Sequence, residues 1–112
     1  MTSGFLPRSN EELKRAVGAC LKLSAKGDCS KGSHGPIGGW DVSSVPDMAD
    51  MFSKAKLFNG DISKWVVSRA TNMRNMFWGA TAFKGDLAKW DVSRVTNTVS
   101  YTHLTLPTKR IV

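Results

Sequence analysis

The chain is poor in the residues from which most reactive centres are built. Its 112 residues include two cysteines, two histidines and one tyrosine. His34 sits in a glycine-rich stretch and His103 in a C-terminal segment unlike the rest, so no Ser/His/Asp or Cys/His set can be assembled. Neither a phosphate-cradling glycine loop nor a metalloprotease motif occurs. Without a second cysteine pair a zinc site is not expected, and no metal or other cofactor is implied. No apolar run approaches the roughly 20 residues that cross a bilayer, so membrane insertion is not expected. The opening Met1-Thr-Ser-Gly-Phe-Leu-Pro-Arg8 has no long apolar stretch after a basic start, which excludes a secretory signal within it. Acids are scarce: nine Asp and Glu face sixteen Lys and Arg, for a net charge of +7. The cations are scattered singly, with no arginine-rich run, groove-reading helix or stacking platform, so nucleic acid is not the expected partner. These absences point to a non-catalytic protein.

What is present is a period. Trp40, Trp65 and Trp90 are separated by 25 residues each time. Ile37, Ile62 and Leu87 keep the same step, as do Val42, Val67 and Val92, and Val45, Ala70 and Val95. Met48 and Met73, Met51 and Met76, Phe52 and Phe77, Ala55 and Ala80, and Phe58 and Phe83 complete the register. A repeat of this length is one supersecondary unit that buries its apolar side by stacking on neighbours. The phased aromatic and methionine positions therefore read as core packing, each ring on its counterpart.

Three zones follow. Residues 1–34 stand outside the repeat; Ser9 with Glu12 reads as a capping box, followed by a helical stripe of Leu13, Ala16, Val17, Cys20 and Leu21, with Gly27 as the stop. This helix is expected to cap the repeats. Residues 35–98 hold copies at 37–61 and 62–86 and a partial copy at 87–98. Within a copy, the alternation of Trp65 and Val67 predicts a short inward-facing strand. The spacing of Met73, Met76, Phe77 and Ala80 predicts a short returning helix. Together these predict an α/β fold: a short leucine-rich-repeat-like solenoid of 25-residue repeats, with parallel strands roughly 4.8 Å apart and an N-terminal capping helix. With fewer than about three full copies, such an array is expected to be marginal and prone to associate.

The strings Trp40-Asp-Val-Ser-Ser-Val45, Met48-Ala-Asp-Met-Phe52 and Phe58-Asn-Gly-Asp-Ile-Ser63 resemble the repeats of BspA-like leucine-rich repeat surface proteins. Thr71-Asn-Met-Arg-Asn-Met-Phe77 and Phe83-Lys-Gly-Asp-Leu87 carry the same likeness, which spans about 35–98. The resemblance implies a repeat protein of microbial surfaces or secretions, with adhesion or partner binding as its role and no catalytic residues. Val66 departs from the pattern, because Asp41 and Asp91 hold that place in the flanking copies.

Residues 99–112 form the third zone. The period stops in mid-motif after Asn97, and the segment resembles a translated sequencing-library adapter joined to a truncated repeat gene. On that reading the segment is unstructured and the chain is a fragment of a longer repeat protein; a divergent natural C-terminus is the alternative. Two cations, Lys109 and Arg110, belong to this segment, which leaves +5 for the remainder.

Function is expected on the polar positions between core residues: interaction with a protein or cell-surface partner. Lys64 and Lys89 are equivalent, as are Arg69 and Arg94, so stacking would align them into a cationic stripe interrupted by Asp41 and Asp91. One reading is a solvated face that blocks edge pairing; the sharper one is a site for an acidic partner, with an acidic surface polysaccharide as the alternative ligand. Trp78, whose counterpart is Ser53, is expected to be exposed and available for contact. Asp61 and Asp86 read as turn caps rather than calcium ligands, since calcium takes about 6–8 oxygens. The triplets at 26–28 and 84–86 echo adhesion tripeptides but are short enough to arise by chance. Cys20 and Cys29 either close a loop as a disulfide, implying an oxidising compartment, or leave Cys20 as a buried thiol and Cys29 free.

Overall fold

A computed structural model describes residues 4–96. Helix α1 runs over Asn10–Leu23. The Ser9 hydroxyl accepts from the Glu12 N–H at 3.1 Å, and the Glu12 carboxylate accepts from the Arg8 N–H at 2.9 Å. The reciprocal cap thus closes one residue earlier than the usual box. Leu13, Ala16, Val17 and Cys20 are buried. The helix stops at Leu23, four residues before Gly27, and Ser24 returns its N–H to the Cys20 carbonyl. Gly27 lies in the turn beyond, at φ 102°, where a Cβ would strike the Phe58 ring.

The expected α/β leucine-rich-repeat-like solenoid is overturned. Among the described residues the remaining regular structure is a single 3₁₀ turn at Ile37–Gly39 and an isolated parallel bridge between Asp47 and Asn72. Residues 4–96 contain no sheet, and no helix at 73–80. Each copy is instead a succession of β-turns whose apolar ends point inward. Trp65 N–H donates to the Ile62 carbonyl, Ala70 to Val67, Met76 to Met73, Ala80 to Phe77 and Phe83 to Ala80, at 2.9–3.2 Å. The first copy repeats this with Trp40 to Ile37, Val45 to Val42, Met51 to Met48, Ala55 to Phe52 and Phe58 to Ala55. Pairs of buried or partly buried apolar residues three apart are thus the two ends of a turn. The Trp65 and Val67 alternation belongs to adjoining turns rather than to one extended strand.

Two physical causes prevent the expected elements. Asp50, Lys54 and Asn75 take φ of 60°, 64° and 56°, and Gly79 takes 79°, which breaks a right-handed helix at each place. In addition, the carbonyls that a helix would use internally are taken by the preceding copy. The N–H groups of Met48, Asp50, Phe52 and Lys54 donate to the carbonyls of Asn72, Arg74, Met76 and Trp78 at 2.6–2.9 Å. Thr71 and Thr96 donate in turn to Pro46 and Thr71, both at 2.8 Å. Pro46 occupies this place in the first copy, where no earlier copy offers an acceptor and a missing N–H costs nothing.

Phe52 stacks on Phe77 at 5.7 Å and Phe58 on Phe83 at 5.6 Å, which sets the step between copies. The tryptophans pack differently: Trp65 lies against Phe52 and Trp90 against Phe77, each with the phenylalanine of the preceding copy. Their indole N–H groups reach back to the Ile37 and Ile62 carbonyls at 2.8 and 3.1 Å. Burying such rings contributes about 1.5–3 kcal/mol each, enough to hold turns that have little stability alone. Helix α1 joins the same apolar core. Its Asn10 side chain donates to the carbonyls of Asp47 and Ala49, both at 3.0 Å. These are the first-copy equivalents of Asn72 and Arg74, so one amide stands in for an absent preceding copy.

Candidate binding face on the repeat turns

Four of the turns carry the predicted cations at the same internal place. Lys64 and Lys89 are the third residues of the turns at 62–65 and 87–90; Arg69 and Arg94 are the third residues of those at 67–70 and 92–95. All four side chains are exposed. Each pair is separated by one step of the stack, so the structure brings like charges into two short rows. The first copy supplies Gly39 and Ser44 at these places, so both rows begin at the second copy.

Asp41 and Asp91 play a more local part than the sequence implied. The Asp41 carboxylate accepts from the Ser43 N–H at 3.1 Å and its hydroxyl at 2.5 Å. Asp91 accepts from the Ser93 N–H at 3.0 Å. Asp61 makes the same pair of bonds to Ser63, at 3.0 and 2.7 Å, and Asp86 accepts from the Ala88 N–H at 2.9 Å. The last two are therefore turn caps. The serine hydroxyl, then the serine N–H, hold the carboxyls of Asp41, Asp61 and Asp91 below the ordinary aspartate range; Lys64 and Arg94 assist Asp61 and Asp91. The recurring triplets Asp41-Val-Ser43, Asp61-Ile-Ser63 and Asp91-Val-Ser93 were the legible signal for this turn chemistry.

The second copy breaks the rule at one point. Val66 stands where the flanking copies have aspartate, and it is 56% exposed. Ser68, the equivalent of Ser43 and Ser93, therefore has no carboxylate at its turn. Val66 and Ser68 line a groove of about 300 Å³ together with Lys64, Lys89 and Asp91. Neither the groove nor Ser68 was identified from the sequence, although the Asp-to-Val exchange was visible in it.

The other predicted residues lie elsewhere. Trp78 is 47% exposed, with the Lys54 ammonium 5.6 Å from its ring centre. Cys20 and Cys29 are joined as a disulfide that ties α1 to the following loop, and both are buried. His34 stacks on Phe5 at 3.8 Å and takes no part in the cationic face. The segment 99–112 lies outside the described residues. Among those described, no group of three or more His, Cys, Asp or Glu could hold a metal ion, and no helix is long and apolar enough to cross a membrane.

A comparison with curated proteins and with solved structures found no match. A family model does match, over residues 28–105, which is more than half of the chain and takes in every repeat copy. The chain therefore belongs to the family described as Mycoplasma protein of unknown function, DUF285.

Proposed function

We propose that this chain is a non-catalytic binding module that engages an acidic partner, a protein or cell-surface component, through the turn face of its second and third copies. The observation that carries this reading is the alignment of Lys64 with Lys89 and of Arg69 with Arg94, all exposed and one step apart. Exposed like charges in register raise the local potential and steer oppositely charged partners. Two further features support it. The likeness of the repeat strings to BspA-like surface proteins fits an adhesive or partner-binding role. The Cys20–Cys29 disulfide fits an oxidising location outside the cytoplasm.

An acidic polysaccharide is the second reading, favoured by the same two rows. Retention of the oxidised full chain on immobilised polyglutamate and on immobilised heparin, each across a salt series, tests both. Polyglutamate retention should fall steeply with salt and disappear on joint charge reversal of Lys64, Arg69, Lys89 and Arg94, with the circular dichroism spectrum unchanged. Retention that survives the reversal on both surfaces removes the cationic face from consideration. Loss confined to heparin favours the polysaccharide.

A further inference from the structure

We propose that the turn at Val66 and Ser68 is a vacant carboxylate seat, filled by an aspartate or glutamate of an acidic peptide bound in the groove beside it. The other turns of the repeats show what the seat holds. At Asp41 and Ser43 a carboxylate oxygen takes both the serine N–H and its hydroxyl, and at Asp61 and Ser63 the same pair of bonds recurs. Asp91 takes the Ser93 N–H in the equivalent turn of the third copy. In the second copy the turn is kept, with Ala70 N–H on the Val67 carbonyl at 2.9 Å, but the side chain that would fill it is Val66. The Ser68 N–H and hydroxyl are left as a matched pair of donors on the wall of a groove of about 300 Å³.

The surroundings say what kind of molecule supplies the carboxylate. Lys64, Lys89 and Asp91 border the groove, the Asp91 carboxylate being engaged by the Ser93 N–H, and Arg69 follows Ser68 within the same turn, so three cations against one acid favour further anionic groups on the ligand. Val66, 56% exposed in place of an acid, offers the groove an apolar contact. An acidic peptide with an aliphatic residue beside its carboxylate satisfies all three features. A polyanionic glycan would use the cations and gain nothing from the valine. Charge-assisted bonds from an N–H and a hydroxyl to one carboxylate are the stronger class of hydrogen bond, and burying an aliphatic side chain adds to them.

This inference rests on the partner-binding reading above, and Val66→Asp separates the two. That substitution restores the aspartate of the flanking copies, so it should fold, and it fills the seat from within the chain. The probe is a capped synthetic peptide of alternating glutamate and leucine, with its all-glutamate and glutamine–leucine counterparts, titrated against the oxidised full chain. The glutamate–leucine peptide should bind more tightly than either counterpart and shift the Ser68 amide resonance. Val66→Asp should weaken it roughly tenfold or more, and Ser68→Ala several-fold. Unchanged affinity in Val66→Asp overturns the seat. If joint reversal of the four cations still abolishes binding, the binding face survives without it; if that reversal also has no effect, both fall. Heparin binding that is lost in Val66→Asp, with no binding of the peptide, assigns the seat to a glycan carboxylate or sulfate and refutes the peptide.

Discussion

A buried indole carries one polar atom that must be satisfied, and here that atom does structural work across copies. Trp65 Nε1 donates to the Ile37 carbonyl and Trp90 Nε1 to the Ile62 carbonyl, 28 residues back in each case. The two carbonyls also close their own turns, so losing the indole N–H costs one bond rather than stranding the acceptor. Trp65→Phe should therefore destabilise by about 1 kcal/mol through the lost bond, plus a smaller cavity cost for the lesser ring, whereas Trp65→Ala, which empties the site, should cost about 3–5 kcal/mol; urea unfolding followed by circular dichroism measures both. The aspartates of the turns predict a pH dependence. Asp41, Asp61 and Asp91 are held below their ordinary value in the folded chain, so the folded state binds fewer protons than the unfolded one. Their contribution is present above the ordinary aspartate range and is lost as pH falls through the lowered folded values. Joint replacement of the three by Asn should flatten the fall in melting temperature between about pH 5 and pH 2. A fall as steep as that of the parent chain would count against the turn bonds as the cause.

At the scale of the element, the turn rather than the strand or helix is the building unit. Two apolar residues three apart satisfy a helical pattern, and apolar residues two apart satisfy a strand. Both spacings also arise when successive β-turns each bury their ends, as Ile62 with Trp65 and Val67 with Ala70 do. The period of apolar residues was thus legible, but the element it belonged to was ambiguous. What decides it is where the backbone bonds go, and the cross-copy bonds from Met48, Asp50, Phe52 and Lys54 are not visible in any local window. The capping helix was legible, because Ser9, Glu12 and the stripe from Leu13 are local signals. Its most specific contribution was not, since Asn10 meets Asp47 and Ala49 only in the folded chain. Asn10→Ala should lower stability by about 1–2 kcal/mol through loss of those two bonds. Faster hydrogen exchange should accompany it in the adjoining first-copy turns, and unchanged exchange there would place the effect in the helix alone.

For the whole molecule, stability is concentrated in one apolar core that runs from Leu13 to Val95 without a buried charged or polar side chain among the described residues. Such a stack is strong between copies and depends on how its first end is closed. That part of the chain carries helix α1, the Asn10 amide on the carbonyls of Asp47 and Ala49, Pro46, and the Cys20–Cys29 disulfide that ties the helix to the following loop. The disulfide joins residues nine apart, a short loop, so its loss should cost about 2–3 kcal/mol. Unfolding with and without reductant, alongside the Cys20→Ser/Cys29→Ser double variant, measures this. In a molecule with so little regular structure that loss should also promote self-association, readable by sedimentation.

The sequence by itself determined the 25-residue period and the identity of most buried residues, because burial in a repeat is written as recurrence of apolar side chains. It also carried the cations and the exchange of aspartate for Val66. Tertiary structure decided what those residues build. The path between apolar positions is set by bonds to another copy and by left-handed residues such as Asn75 and Lys54, and neither is encoded in periodicity. The same holds for function: Ser68 becomes a candidate seat only because its turn is stacked between turns that already hold a carboxylate.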